Sequence, residues 1–170
     1  MPAGGWESAT VRIEPSGMVN ILTGSSPHGQ GQETTFAQMG AEILGLEPDD
    51  VNVIHGDTSV VPYGIGTFGS RATAVGGTAV YKSLMKLREK LATLAGFLIE
   101  EDPSKLVFEG MKIYSKAQPK KSIGFGEAVG AAYVAKTLPP GVDPGLDATT
   151  FFEPTNFTFP FGAHAAVVEV

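Results

Sequence analysis

The sequence predicts an α+β fold, and three observations carry that expectation. Two period-2 segments, Ser8 to Ile13 and Met18 to Leu22, flank Glu14-Pro15-Ser16-Gly17, a proline–glycine turn that reverses the chain into a hairpin. Val80, Leu84, Leu87, Leu91, Leu94 and Leu98 repeat at three and four residues, which defines a long helix with Lys82, Lys86, Arg88, Glu89 and Lys90 on its solvent side. Leu106-Val107-Phe108 and Met111-Lys112-Ile113-Tyr114, split by Glu109-Gly110, form a second hairpin. Hairpins imply antiparallel pairing, and the elements interleave without a strict βαβ rhythm. The expectation is a mixed, largely antiparallel set of strands with two to three helices.

Between the first hairpin and the long helix, a polar loop from Thr23 to Gln32 leads into a helix from Glu33 to Leu44. Phe36, Met39, Ile43 and Leu44 give that helix its apolar face, and Gly45 is placed to cap it. Pro48-Asp49-Asp50 precedes a short strand, Val51 to Ile54, that ends at His55-Gly56-Asp57-Thr58. A glycine-rich stretch follows, with Gly56, Gly64, Gly66, Gly69, Gly76 and Gly77 around Thr67, Ser70, Arg71 and Thr73. After the second hairpin, Ser122 is expected to cap a helix reaching about Ala135. Thr137 to Asp147 reads as an irregular crossing. Two strands are expected to close the chain, near Thr149 to Phe159 and Ala163 to Val170.

Composition narrows the function. A chain of 170 residues with 42% hydrophobic and 18% charged residues suits one globular domain. A net charge of −6 argues against nucleic acid or an anionic membrane as the main partner. No apolar run is long enough to span a membrane, and Met1-Pro2-Ala3-Gly4-Gly5 has no signal-peptide pattern, so a cytoplasmic location is expected. With no cysteine, the chain has no disulfide, no thiolate zinc or iron–sulfur ligand and no cysteine nucleophile. Its 22 Gly and 12 Pro are many for a domain that also reads as helical.

Two glycine motifs fail on context. Gly64-Ile65-Gly66-Thr67-Phe68-Gly69 has the letters of a dinucleotide fold, but a long helix follows where a second strand and a ribose-binding acid belong. Gly24-Ser25-Ser26-Pro27-His28-Gly29 has phosphate-loop spacing without the lysine. Both glycine loops nonetheless run into helix N-termini, where unpaired N–H groups and the helix dipole favour an anion such as a phosphate. Ser70, Arg71 and Thr73 add side-chain donors. The same glycines serve equally well as plain turns. His28, His55 and His164 lack metal-ligand spacing. Asp57 reads as a turn residue and Glu127 as solvated surface.

Several of these segments, in this order, resemble the molybdenum hydroxylases, the family of xanthine dehydrogenase, aldehyde oxidase and the large subunit of aerobic carbon monoxide dehydrogenase. They are Gly4-Gly5-Trp6-Glu7-Ser8-Ala9, Thr23 through Thr35, Gly56-Asp57-Thr58, Gly66 through Arg71, and Phe159-Pro160-Phe161-Gly162-Ala163-His164 through Glu169. The resemblance covers essentially the whole chain. It implies a molybdopterin cofactor, a cytosine dinucleotide form by analogy, with Gln30 matching the glutamine whose amide approaches an apical oxo ligand of molybdenum. Gly29 and Gly31 would shape that turn. Gly69, Ser70, Arg71, Ala72 and Thr73 match the loop whose backbone and hydroxyls hold the cofactor's phosphate end.

The resemblance also marks what is missing. The family's catalytic glutamate lies beyond the segments present here, and Gly124-Phe125-Gly126-Glu127 imitates its letters in the wrong place. The expectation is a partial molybdopterin-binding domain, residues 1–170, excised from a longer oxidoreductase subunit that works with iron–sulfur and flavin partners. Alone it is expected to hold no molybdenum and to be inactive. A free-standing domain that binds a phosphorylated ligand or a partner subunit is the alternative. Two further expectations are spatial: Gly29-Gln30-Gly31 and Gly69-Ser70-Arg71 should lie close together. The apolar surface of Phe151, Phe152, Phe157, Phe159, Phe161 and Ala163 to Val170 should be left bare and favour self-association.

Overall fold

A computed structural model of the chain describes residues 5–61, 63–160 and 162–169. Strands β1 (Glu7–Ile13) and β2 (Val19–Thr23) form the expected hairpin, with Val11 opposite Ile21. Helix α1 (Gln32–Leu44) then carries the chain to β3 (Val51–His55), which runs parallel to β2. A six-residue π-wound turn, Ala72–Gly77, opens directly into the long helix α2 (Thr78–Ile99). Strands β4 (Leu106–Glu109), β5 (Lys112–Ser115) and β6 (Ser122–Gly124) make a small antiparallel sheet, followed by α3 (Phe125–Ala132). Strand β7 (Asp147–Phe152) returns to pair antiparallel with β1, giving a four-stranded sheet in the order β3-β2-β1-β7. The fold is α+β, as the pattern predicts.

One core holds both sheets. Ala9, Val11 and Ile13 from β1 and Val19 and Ile21 from β2 bury against Phe36 and Leu44 of α1 and Val80, Leu84, Leu87, Leu91 and Leu94 of α2. Each of these leucines is at most 1% exposed, worth about 2 kcal/mol of apolar burial. The same core continues through Phe108, Ile113 and Ile123 to Phe125 and Val129 of α3. Gly45 ends α1 by donating its N–H to Ala41, and its carbonyl accepts from Met111 at 2.8 Å, which fastens the small sheet to the helix.

Two sequence expectations need correction. Ser122 caps no helix: it begins β6, opposite Tyr114, because Ile123 pairs with Ile113 and drops into the core. The helix starts after it, with extended Gly124 as its N-cap, and ends at Ala132. The closing strands also differ. β7 starts at Asp147 and stops at Phe152, before Pro154, and residues 163–169 form no strand. Alternating apolar residues are not enough, since a strand needs a neighbour for its N–H and C=O groups. Val167 stays fully exposed. Phe151, Phe157 and Phe159 are 54%, 69% and 80% exposed, whereas Phe152 packs on the core. Phe161 and Val170 lie outside the described residues.

Beneath the turn that follows α2, the Glu101 carboxylate accepts from the buried Ser115 hydroxyl at 2.8 Å and from the Asp102 N–H at 3.0 Å. These bonds, the Ser115 bond foremost, hold Glu101 below the usual glutamate range. A carboxylate whose folded-state pKa is depressed stabilises the fold above its unfolded value and loses that contribution as pH falls through the folded one. Stability should therefore decline on acidification below about pH 4.5, and Ser115→Ala should flatten that decline. Denaturation midpoints measured from pH 6 to pH 3 in both proteins check it; parallel curves would exclude the bond as a source.

Candidate functional site

Glu7 organises the site. Period-2 alternation puts it on the same side of β1 as Ala9, Val11 and Ile13, and it is fully buried. Its Oε2 accepts from Arg71 Nη1 at 2.8 Å and from the backbone N–H groups of Ile65 and Gly66, both at 3.3 Å. Its Oε1 accepts from the Ser8 N–H at 3.1 Å. The Arg71 guanidinium also donates to the carbonyls of Gly66 and Trp6 and lies 5.2 Å from the centre of the Phe68 ring. The loop between Gly64 and Arg71 is thus wrapped on one carboxylate. Arg71, expected to donate to an anion, has its side chain turned into the fold and buried.

Close backbone contact fixes the second loop against the first. A Cβ built on Gly24 would lie 2.5 Å from the Gly64 Cα and 2.7 Å from Glu7 Oε1. Gly76, in the π-wound turn, meets the Ser25 hydroxyl in the same way. Only residues without a side chain allow these approaches.

Where the two loops meet, a cleft of about 580 Å³ opens. His28, Gln30 and Gln32 from one loop, residues 67–74 from the other, and Phe159 and Pro160 line it. Thr158 ties the last segment to the second loop by donating its hydroxyl to the Ser70 carbonyl at 3.0 Å. A larger groove of about 700 Å³ runs between α1 and β3, but neither glycine loop reaches it.

The local backbone explains the cleft's shape. Gly31, with φ +76°, is the N-cap of α1 and makes no side-chain cap, so no cap side chain takes up the helix's first N–H groups. Gly69 (φ +54°) and Ser70 (φ +62°) are left-handed, and Arg71 (φ −98°) is right-handed. The change of hand between Ser70 and Arg71 is a backbone form used in anion-binding concavities, and here the Arg71 N–H donates to the Phe68 carbonyl at 3.3 Å. A serine held at positive φ costs about 1 kcal/mol, a strain located at the cleft. The Gln30 side-chain oxygen accepts the His28 N–H at 2.5 Å, which leaves its amide NH₂ as the donor for anything in the cleft. The two loops that the sequence predicts to be neighbours share one wall-to-wall site.

Other expectations fall outside it. Asp57 is a turn residue, accepting from the N–H and hydroxyl of Ser59. Glu127 is exposed on α3 and does not line the cleft. His55 pairs with Glu33 at 2.7 Å, and no cluster of three metal-ligating side chains occurs among the described residues. No described helix is long and apolar enough to cross a membrane. Sequence reasoning passed over Glu7, Thr67 and Gln32. Glu7 had a readable signal, an acid at an inward position of an otherwise apolar alternation. Gln32, four residues before the buried Phe36, had another.

An α+β domain with two glycine-shaped loops and a helix N-terminus around one cleft is a ligand-binding architecture, and the comparisons specify which. The chain belongs to the molybdopterin cofactor-binding domain family, whose model matches residues 2–170. It is 35% identical, over 97% of its length, to the carbon monoxide dehydrogenase large chain of Afipia carboxidovorans. The nicotine 6-hydroxylase large subunit of Paenarthrobacter nicotinovorans is 31% identical over 96% of the chain. Quinoline 2-oxidoreductase from Pseudomonas putida 86 superposes on 89% of the chain with a TM-score of 0.82 and 39% identity, covering 19% of that chain. The chain spans about a fifth of the length of the curated relatives it matches, 20% in both cases.

The residues present fit such a cofactor. Gln32 is 3% exposed, lines the cleft, and has no hydrogen-bond partner among the described residues for either side-chain amide atom. The buried Thr67 hydroxyl is in the same position. Buried polar atoms left unmatched beside a cleft are what a polar ligand would satisfy.

Proposed function

We propose that this chain is part of the molybdenum-cofactor-binding subunit of an oxidoreductase that hydroxylates or oxidises a small substrate with oxygen taken from water. The observation that carries the proposal is the single cleft shared by Gln30 and the Gly69–Thr73 loop. Gly69, Ser70, Arg71, Ala72 and Thr73 would hold the phosphate end through backbone N–H groups and hydroxyls, with the Arg71 side chain bracing the loop from behind. Gly29 and Gly31 would shape the turn that presents the Gln30 amide to the metal end. When bound, the cofactor supplies a two-electron acceptor and a Lewis-acidic metal.

The role of this chain is to bind and orient. No residue here is assigned as acid or base, so proton transfer falls to the rest of the subunit. Iron–sulfur and flavin partners, a cytosine dinucleotide form of the cofactor and a cytoplasmic location belong to the same reading. The exposed Phe151, Phe157 and Phe159 would be covered by remaining segments of the subunit and, in the isolated chain, drive self-association.

The test is the metal and pterin content of the full-length protein. Near-stoichiometric molybdenum and a fluorescent pterin released on denaturation are expected there, with neither in the isolated 170 residues. Thr73→Val, which removes one hydroxyl at the cleft, should weaken retention about tenfold, the worth of a hydrogen bond to a charged group. A full-length protein without molybdenum, from a host that makes the cofactor, would refute the reading.

A further inference from the structure

We propose that Gln32 is a ligand-binding residue of the cleft, and that it takes the edge of a heterocycle carrying a hydrogen-bond donor beside an acceptor. The inference rests on the reading above and adds to it a recognition element outside the two assigned loops.

Gln32 is the first residue of α1, one position after the Gly31 cap. Its place four residues before Phe36, itself fully buried, aims it inward, and the side chain is 3% exposed. Burial strips an amide of water. Natural folds compensate by pairing such groups, and an amide with neither Nε2 nor Oε1 paired is rare. Gln32 lines the cleft, and so does Thr67, whose buried hydroxyl is equally unpaired.

The donor set decides the chemistry. An acceptor-only group such as a phosphate would satisfy Nε2 and leave Oε1 unmatched. A lactam or aminopyrimidine edge offers N–H beside C=O or ring nitrogen and satisfies both at once, as an amide does with adenine. That edge occurs in a pterin and in a cytosine base, and either would serve. Gln32 thereby reads the flat, heterocyclic part of the ligand, while the Gly69–Thr73 loop is left to the anion.

The test uses the full-length protein and its variants Gln32→Met, which keeps length and shape, and Gln32→Leu. A residue whose burial is purely structural would lower the melting temperature of the cofactor-free protein when replaced. Here both variants should keep or raise that temperature, because two unmatched polar atoms are removed. Retention of molybdenum and of the fluorescent pterin after extended dialysis should fall about tenfold. Loading with a cofactor form that lacks the base separates the two sources. A difference between wild type and variant that persists assigns the pterin edge, and one that vanishes assigns the base.

Loaded wild type with equally loaded Gln32→Met would overturn this inference and leave the parent reading standing. An equal loss of melting temperature with and without cofactor would also overturn it. So would inorganic pyrophosphate that raises the melting temperature of cofactor-free wild type but not of Gln32→Met, since the partner would then be the anion. A wild type that carries neither molybdenum nor pterin overturns both.

Discussion

Replacing Glu7 by Gln should destabilise the chain by about 3–5 kcal/mol, because it leaves the Arg71 guanidinium charged and buried opposite a neutral amide. Both side chains of this pair are fully excluded from solvent. Coulombic attraction in such a place roughly offsets the cost of stripping two ions of water, so the pair together adds little, whereas half of it is a liability. A domain of this size has about 5–15 kcal/mol in total, so the loss would expose much of the fold at moderate urea. The N–H groups of Ile65 and Gly66 would keep an acceptor, and the damage should therefore begin at Arg71 and spread along residues 67–71. Urea denaturation of Glu7→Gln, Arg71→Met and Glu7→Leu with Arg71→Met checks this. The double variant should recover most of what either single variant loses. A Glu7→Gln loss below about 1 kcal/mol, the range of an exposed pair, would contradict the burial argument.

The second large effect concerns Gly24. Gly24→Ala puts a methyl group 2.5 Å from the Gly64 Cα, against backbone that cannot rotate away, and 2.7 Å from Glu7 Oε1. Overpacking of this kind costs about 1–3 kcal/mol in ordinary cores, and here the upper end applies because the neighbour is main chain. The two loops would separate and the carboxylate would lose its geometry, so the effect should be strongly non-additive with Glu7→Gln. Gly126→Ala, on the exposed side of α3 with open space around it and no left-handed backbone, is the control for a glycine whose loss disturbs no packing. Equal destabilisation by the two substitutions would refute the close-approach account.

Much of the fold is legible in the sequence because its signals are local. Leucine spacing sets α2, alternation sets β1 and β2, and Gly45 marks the end of α1 within a residue. β6 was not legible, because Ser122-Ile123-Gly124 is too short for a pattern and reads as the entry to a helix. Its strand character comes from Ile113 across the sheet. The π-wound turn was hidden in the same way, since Ala72 through Gly77 looks like the first turn of α2. The candidate site divides similarly. Glycines and hydroxyls at 29–31 and 69–73 can be read as an anion-binding pattern. The Glu7–Arg71 pair that shapes their loop joins residues 64 positions apart, and nothing in the local sequence announces it.

The pairing of β1 with β7 has a consequence for how the chain comes off the ribosome. Glu7 lies opposite Phe152 and Arg12 opposite Asp147, so β1 waits until β7 has been made. At a synthesis rate of about 5–20 residues per second, that interval is on the order of ten seconds. The hairpin with β2 closes early, and α1 and α2 can cover one face, yet the outer edge of β1 stays unpaired throughout. During those seconds a nascent chain offers neighbouring polysomes a β-edge. A chaperone that shields nascent β-edges during that interval should raise the soluble yield of these residues.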